Sequence, residues 1–205
     1  MRITRLYELI KGVIMTIEKT KATDTVSSGL TCNTKAGEAA QATGVYHIEC
    51  RDKDGNLKWT AESKNLVVNV GLQYMAGSAL TSVSQITTWY LGLYGAGASN
   101  TPAAGDTMAS HAGWTEVTAY SNANRVTATL VTATTANPSV VTNTASPAVF
   151  NINGTTTVGG AFLTSENTKG GTTGTLFSAA DFGSPGDRSV VNSDTLSVTY
   201  TFSLA

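Results

Sequence analysis

The part of the chain from Trp89 to Ala205 is dominated by Thr, Val, Ala, Gly, Asn and Ser. β-Branched residues occur there in short alternating runs, and Gly, Pro, Asn and Asp separate the runs. Half-buried strands joined by tight turns have this composition, because branched side chains pack on a pleated surface and the separating residues accept turn conformations. The sequence therefore predicts an all-β domain.

The expected strands of this region are short and evenly spaced. They comprise residues 87–94, 115–120, 125–132, 148–152, 157–163, 175–177 and 195–203. The last strand alternates between apolar residues and Ser or Thr from Leu196 to Phe202, which predicts an internal strand with one buried face. The regular spacing favours an antiparallel β-sandwich, with a jelly-roll-like or an immunoglobulin-like topology.

A hairpin is expected before this region, with strands at 45–51 and 57–62 and a two-residue type I′ turn at Asp54-Gly55. The corresponding register gives the hairpin one apolar and one polar face. It also places Arg51 opposite Lys58. Two like charges in that position predict that a carboxylate or an anionic partner lies nearby.

One short helix is expected between the hairpin and the later strands. Leu66, Val70 and Tyr74 recur at helical spacing. Asn69 is available as an N-cap residue. The sequence therefore predicts a helix at about 70–80, lying across an open end of the sheets.

Composition divides the chain into an extended, flexible N-terminal arm at 1–44 and a β-sandwich domain at 45–205. The arm has few large aliphatic residues, so it is expected to remain a flexible terminus or to become ordered only on a neighbouring surface. Residues 1–14 are expected to be untranslated leader, with the natural start at Met15, because codons just upstream can spell a ribosome-binding sequence. Their apolar run is too short and too interrupted by charge for a signal peptide or a membrane span.

Charged residues make up 13% of the chain, about half of the ~25% that is usual in globular proteins. Because burying unpaired charge is costly, such a surface suits a protein packed among many neighbours. The formal net charge of -1 gives no general attraction to nucleic acid or to an anionic membrane, and neither partner is expected. Cys32 and Cys50 are expected to be reduced, since a disulfide framework normally has more cysteines.

The sequence offers no recognisable catalytic, cofactor or metal site. His47 and His111 are the only histidines, and they have no metal-ligand spacing with the cysteines. The run 52–56 looks like part of a calcium loop, but alignment on its glycine puts Cys50 and Ala61 at positions that need oxygen ligands. The protein is therefore expected not to be an enzyme and to need no cofactor.

A long loop and several aromatic residues supply the candidate interface. The loop at 95–114 is low in charge, and loops of this length are usually functional or mobile. Tryptophans in a strand-rich fold are more often anchors of a core or an interface than platforms for a sugar or a base. The candidate interface residues are Trp89, Tyr94, Met108, His111 and Trp114.

Three runs of the sequence resemble a family of small virion proteins of tailed phages and prophages. They are Trp-Tyr-Leu-Gly-Leu-Tyr at 89–94, Gly-Asp-Thr-Met-Ala-Ser-His-Ala-Gly-Trp-Thr-Glu at 105–116 and Gly-Ala-Phe-Leu-Thr-Ser at 160–165. The run at 105–116 is the most specific of the three. The similarity covers most of the chain from Val45 onward.

This resemblance implies a structural protein of the virion, namely a decoration or cement protein on the outside of an icosahedral head. The implied partners are the major capsid protein and further copies of the chain itself. Related cement proteins are often jelly-roll-like, and the family has no catalytic residues to transfer. The alternative is a tail or head-fibre protein in which Trp89, Tyr94 and Trp114 line a receptor or glycan site.

Overall fold

The computed structural model of the chain describes residues 40–95, 101–182 and 186–205. Within these ranges the chain forms two antiparallel β-sheets and one short helix, and the expected all-β sandwich is confirmed. The predictions for residues 1–39, including the leader and most of the arm, lie outside the described residues. The first strand begins at Ala42, inside the stretch that was assigned to the arm.

The strands and the helix of the described residues are numbered in chain order. The first sheet contains β1 (Ala42–Arg51), β2 (Leu57–Lys64), β7 (Ser139–Thr142), β8 (Ala148–Asn151) and β12 (Thr195–Leu204). The second sheet contains β3 (Leu66–Val67), β4 (Trp89–Gly95), β5 (Glu116–Val117), β6 (Val126–Ala128), β9 (Thr156–Thr164), β10 (Leu176–Asp181) and β11 (Arg188–Val190). The helix α1 spans Asn69–Leu80.

The last strand, β12, lies in the middle of the first sheet. It pairs with β1 along its whole length on one side and with β7 and β8 on the other. Leu196, Val198 and Tyr200 are buried, whereas the Ser and Thr residues between them are partly exposed. The predicted internal strand with one buried face is confirmed.

Two apolar clusters cover the two faces of the second sheet, whose order is β3-β10-β9-β4-β5. The larger cluster fills the space between the sheets. The smaller, here called the outer cluster, consists of Val68, Tyr94, Met108, Trp114, Phe162, Leu176 and Ala179. Phe162 and Leu163 are neighbours in β9 but belong to different clusters, because successive side chains of a strand point to opposite faces. The second sheet is therefore buried on both sides.

The β1–β2 hairpin has the predicted apolar face but a different turn. Of the turn residues only Gly55 has a positive φ, of 84°, and the closing backbone bond encloses residues 53–55. This is a three-residue loop with a left-handed glycine, so the predicted two-residue type I′ turn is wrong. The register shifts at the end of β1, and Arg51 faces Leu57 rather than Lys58.

Both cations of the predicted like-charge pair nevertheless bind carboxylates. Arg51 donates from Nε to Glu49 Oε1 at 2.5 Å and from Nη1 to the Gly55 carbonyl at 2.9 Å. Lys58, which the register shift leaves without a cross-strand partner, donates to Asp194 Oδ2 at 2.5 Å. The expectation of a nearby carboxylate is confirmed.

Helix α1 confirms the predicted helix and corrects its start. Val68 is the N-cap residue, no side chain caps the helix, and Asn69 is the first helical residue, so Asn69 is not the cap. Tyr74 packs edge-on against Trp89, with ring centroids 5.4 Å apart. No helix in the described part of the chain is long and apolar enough to cross a membrane.

Several strand boundaries differ from those expected. β6 ends at Ala128 because the chain then leaves the second sheet, and the amides of Val131 and Thr134 donate hydrogen bonds to carbonyls of β7 in the first sheet. β10 continues to Asp181, well beyond the predicted 175–177. The sequence does not indicate β3, β7 or β11. β3 and β11 are too short to show a pattern, and the Ser-Val-Val-Thr sequence of β7 does not alternate.

We expect Gly160→Ala to destabilise the domain strongly. A Cβ at this position in β9 would collide with the Tyr94 ring and with the Ala180 carbonyl of the adjacent strand. Because overpacking costs about 1–3 kcal/mol, at least that loss is expected in the free energy of unfolding, measured by urea denaturation. In the control Gly154→Ala the new Cβ meets only the Ala119 side chain, at 3.7 Å. Equal losses in both variants would contradict this packing.

Candidate functional site

The structure separates the five candidate interface residues. Tyr94, Met108 and Trp114 are 0%, 1% and 4% exposed and belong to the outer cluster. This burial corrects the expectation that their side chains contact a partner, because the chain's own loop before β5 covers them. Only Trp89 and His111 are partly exposed, and they lie on opposite faces of the second sheet.

Trp114 is the centre of the outer cluster. Its ring centroid lies 5.2 Å from that of Tyr94 and 5.1 Å from that of Phe162. His111 stacks on the indole at 3.8 Å, and its Nδ1 lies 2.8 Å from the Trp114 carbonyl oxygen. The indole Nε1 donates a hydrogen bond to Asp106 Oδ2 at 2.9 Å. Ring packing thus holds the loop to the sheet, and one charge-assisted bond within the loop fixes the indole.

Asp106 ties the loop together. The oxygen that accepts from the Trp114 indole also accepts from the Ala103 amide at 2.9 Å. A backbone pair between Thr107 and Ser110 closes the segment between them. These residues belong to the run at 105–116, which is the most specific part of the family resemblance. In the structure this run packs against the protein's own sheet.

A groove opens at one end of the space between the two sheets, and it is the candidate binding site. We call it the end groove; its volume is about 820 Å³. The core residues Leu163, Phe177 and Tyr200 line its floor. Helix α1 forms one wall, and residues 85–87 and 130–133 form the others. The helix thus borders an open end of the sheets, where the sequence pattern placed it.

None of the described residues that line the end groove is charged. Two charge-free segments supply most of its walls, since no charged residue lies between Lys64 and Asp106 or between Arg125 and Glu166. These gaps in the charge pattern are the sequence signal that could have indicated the groove. Neither gap alone shows that the two segments meet, because they come together only through the pairing of distant strands.

The lining of the end groove leaves an apolar side chain in water. Val131, in the wall formed by residues 130–133, is 45% exposed. Two of the walls are joined, because the Tyr74 hydroxyl of α1 accepts a hydrogen bond from the Ile86 amide at 2.8 Å. A shaped groove with apolar side chains left in water is typical of an interaction site.

The buried ion pair of Arg125 and Glu116 has a structural role. Arg125 is 2% exposed and donates to Glu116 through Nε at 2.9 Å and through Nη2 at 2.7 Å. It also donates to the carbonyl oxygens of Glu166 and Gly171, which holds the loop before β10. In the described ranges, no group of three or more His, Cys, Asp or Glu could hold a metal ion.

Cys50 is a free and buried thiol. Its Sγ lies 4.0 Å from Asp194 Oδ2, which also accepts from Lys58. Burial, followed by the negative charge of Asp194, raises the pKa of the thiol to about 11. A protonated thiol is a poor nucleophile, so Cys50 is unreactive at neutral pH. The expectation that both cysteines are reduced stays a prediction, because Cys32 lies outside the described residues.

Four tyrosine hydroxyls are buried, and burial raises the pKa of each above its usual value. Nearby charges or hydroxyls add to this effect for three of them. Two of the hydroxyls have no hydrogen-bond partner within the described residues, which makes ionisation still less favourable there. The four residues are Tyr46, Tyr94, Tyr120 and Tyr200, and those without a partner are Tyr94 and Tyr120.

The described residues define the class of the protein as an antiparallel β-sandwich, and they contain one helix. Comparison with known proteins finds no family model that matches the chain, no curated protein similar to it in sequence and no solved structure similar to it in fold. The function is therefore inferred from the surfaces of the domain.

Asp106→Ala should lower the free energy of unfolding by about 1.5–3 kcal/mol, because it removes a charged acceptor used by the Trp114 indole and the Ala103 amide. Urea denaturation followed by tryptophan fluorescence measures the change. Asp54→Ala is the control, since it removes an exposed carboxylate whose partner Lys53 has a side chain that is 71% exposed. We expect that control to stay within about 0.5 kcal/mol of wild type, and similar stability of Asp106→Ala would contradict the assigned role.

The buried tyrosines should make the domain sensitive to alkali. The folded pKa of each is raised above the unfolded value of about 10, so their contribution to stability is fully present below about pH 10 and is lost as the pH rises towards the folded pKa. We expect the free energy of unfolding in urea to fall above about pH 10. Tyrosinate absorbance from these residues should appear only together with unfolding, and their ionisation in the folded protein would contradict the burial.

Proposed function

We propose that the protein is a non-enzymatic structural component of a phage virion, which binds the outside of the capsid and stabilises contacts between major capsid subunits. The resemblance of the runs at 89–94, 105–116 and 160–165 supports this role. The proposed partners are the major capsid protein and further copies of this chain. The low charge of the chain also suits a position among closely packed neighbours.

The observation that carries the proposal is a row of hydroxyl side chains on the outer surface of the first sheet, here called the hydroxyl face. β12 and β7 place short hydroxyl side chains side by side on the surface opposite the core, and they are partly exposed. The Thr142 and Thr201 hydroxyls, from the two strands, lie 2.9 Å apart. The face consists of Thr142, Ser197, Thr199, Thr201 and Ser203.

The hydroxyl face has the properties that a capsid-binding surface needs. Hydroxyl groups cost less to remove from water than charged groups do, and they can donate to or accept from a partner's polar atoms. The face is rigid, because β12 is paired on both sides. A modest interface is sufficient when many copies bind one shell and brace neighbouring subunits.

The alternative role in a tail or head fibre depends on Trp89, Tyr94 and Trp114 forming one receptor or glycan site. Tyr94 and Trp114 are buried in the outer cluster. Trp89 packs against the main core on the other face of the second sheet, beside Phe177. These positions do not form a common aromatic platform, so the site that the alternative role requires is not formed by these three residues.

The proposed function is tested by adding the full-length protein to assembled heads that lack it. We expect saturable co-sedimentation with heads, no binding to unassembled capsid subunits or to envelope glycans, and a higher temperature of DNA release from decorated heads. Binding to envelope glycans without binding to heads would instead establish the adhesive role. Lysis of cell-wall polymer in a zymogram would contradict a non-enzymatic protein.

Thr201→Lys tests the hydroxyl face, because its cross-strand neighbours Val45 and Thr142 offer no carboxylate to pair with the new charge. Burying that charge is costly, so we expect affinity for heads to fall by at least about tenfold. The thermal stability of the free protein should change little, since Thr142 keeps its bond to Thr144. Thr172→Lys is the matched control, since Thr172 is exposed in the loop before β10 in the second sheet. Equal binding by both variants would remove the hydroxyl face from the proposal.

A further inference from the structure

We infer that the turn between β8 and β9 is a site of spontaneous modification, at which the side-chain amide of Asn153 is converted to a carboxylate. Asn153-Gly154 is the only Asn-Gly dipeptide in the sequence. Asparagine is a thermolabile residue, and its conversion needs water but no enzyme or cofactor. The product is a mixture of aspartate and isoaspartate at position 153. This reactivity does not depend on the capsid role.

The reaction starts at the backbone nitrogen of Gly154. This nitrogen loses its proton and attacks Cγ of the Asn153 side chain, so that a new N–C bond closes a cyclic imide. The bond between Cγ and the side-chain nitrogen breaks, and that nitrogen takes up the proton and leaves as ammonia. Water then opens the ring at either carbonyl group, which gives aspartate or isoaspartate. No electrons are transferred, so no oxidant or reductant is needed.

The first structural requirement is a free backbone amide after the asparagine. Gly154 lies between the end of β8 and the start of β9, and within the described residues its amide donates to no backbone acceptor. Two other asparagines differ in this respect. The Ser193 amide, after Asn192, donates to the Ile152 carbonyl at 2.8 Å. The Thr168 amide, after Asn167, donates to a carboxylate oxygen at 2.9 Å.

The second requirement is an accessible side chain with space for the ring. Asn153 is exposed. Gly154 has no side chain to hinder the attack, and even an added Cβ would meet only the Ala119 side chain, at 3.7 Å. The approach of the Gly154 nitrogen to Cγ of Asn153 is therefore open.

The hairpin turn at Asp54-Gly55 lacks the first of these properties, although an aspartate before glycine can form the same ring. The Gly55 amide donates to the Asp52 carbonyl at 3.0 Å, and the Asp54 carboxylate binds Lys53. Ring closure there would first have to break both interactions. The structure thus distinguishes the two glycine turns, and it assigns the reaction to the turn between β8 and β9.

The modification changes the contacts around the turn. The Asn153 amide donates to the Ala119 carbonyl at 3.2 Å, and the adjacent Ile152 forms a backbone bridge with Tyr120. Isoaspartate inserts an additional carbon atom into the main chain at this point, and both products add a negative charge to a chain with a formal net charge of -1. We therefore expect the isoaspartate form to unfold at a lower urea concentration than the unmodified protein.

The site is tested by incubating the full-length protein at neutral and at mildly alkaline pH and mapping its peptides by mass spectrometry. We expect aspartate and isoaspartate at position 153, formed faster at the higher pH because the attacking nitrogen must lose its proton. Labelling by an isoaspartyl methyltransferase identifies the isoaspartate. Asn167 and Asn192 are internal references in the same digests. Equal conversion at all three positions, or conversion of Asn153 only in urea-unfolded protein, would overturn the inference.

Two variants test the chemistry of the dipeptide. Gly154→Ala should slow the conversion by at least about tenfold, because its Cβ hinders the attack of the backbone nitrogen. This variant should remain folded, since the Cβ meets only Ala119. Asn153→Gln is the matched control, because it keeps a side-chain amide but would have to close a larger ring. It should show no conversion on the same time scale. An unchanged rate in either variant would contradict attack by the Gly154 nitrogen on Asn153.

Discussion

The arrangement of the two sheets depends on a small set of buried hydroxyl contacts between them. Tyr46 in the first sheet places its hydroxyl 2.8 Å from Ser178 Oγ in the second, and Ser178 lies 3.3 Å from the Tyr200 hydroxyl. Asn65, at the crossing from one sheet to the other, donates to that same hydroxyl at 2.9 Å. Because unsatisfied hydroxyls are costly in a core, these bonds favour one relative position of the sheets. Tyr200 also lines the floor of the end groove, so the shape of the groove depends on the same contacts.

The second sheet has a cover of its own on the face away from the first sheet. The aromatic residues around Trp114 pack there under the loop before β5, and Asp106 holds the loop closed. Composition cannot distinguish a side chain that is buried by its own chain from one that is buried by a partner, because both need the same apolar, weakly charged surroundings. Tyr94 and Met108 were assigned to an interface for that reason, and they are core residues.

The sequence predicts those parts of the fold in which one long element has one buried face. β12 is the clearest example, since its alternation continues from Leu196 to Phe202. Only one face of such a strand can pack against the core. The predicted type of the hairpin turn is wrong because Gly55 fits either a two-residue or a three-residue loop. The loop length depends on which backbone bond closes the hairpin, and the sequence does not show that bond. The end groove could not be located, because its walls meet only through pairing between strands far apart in the chain.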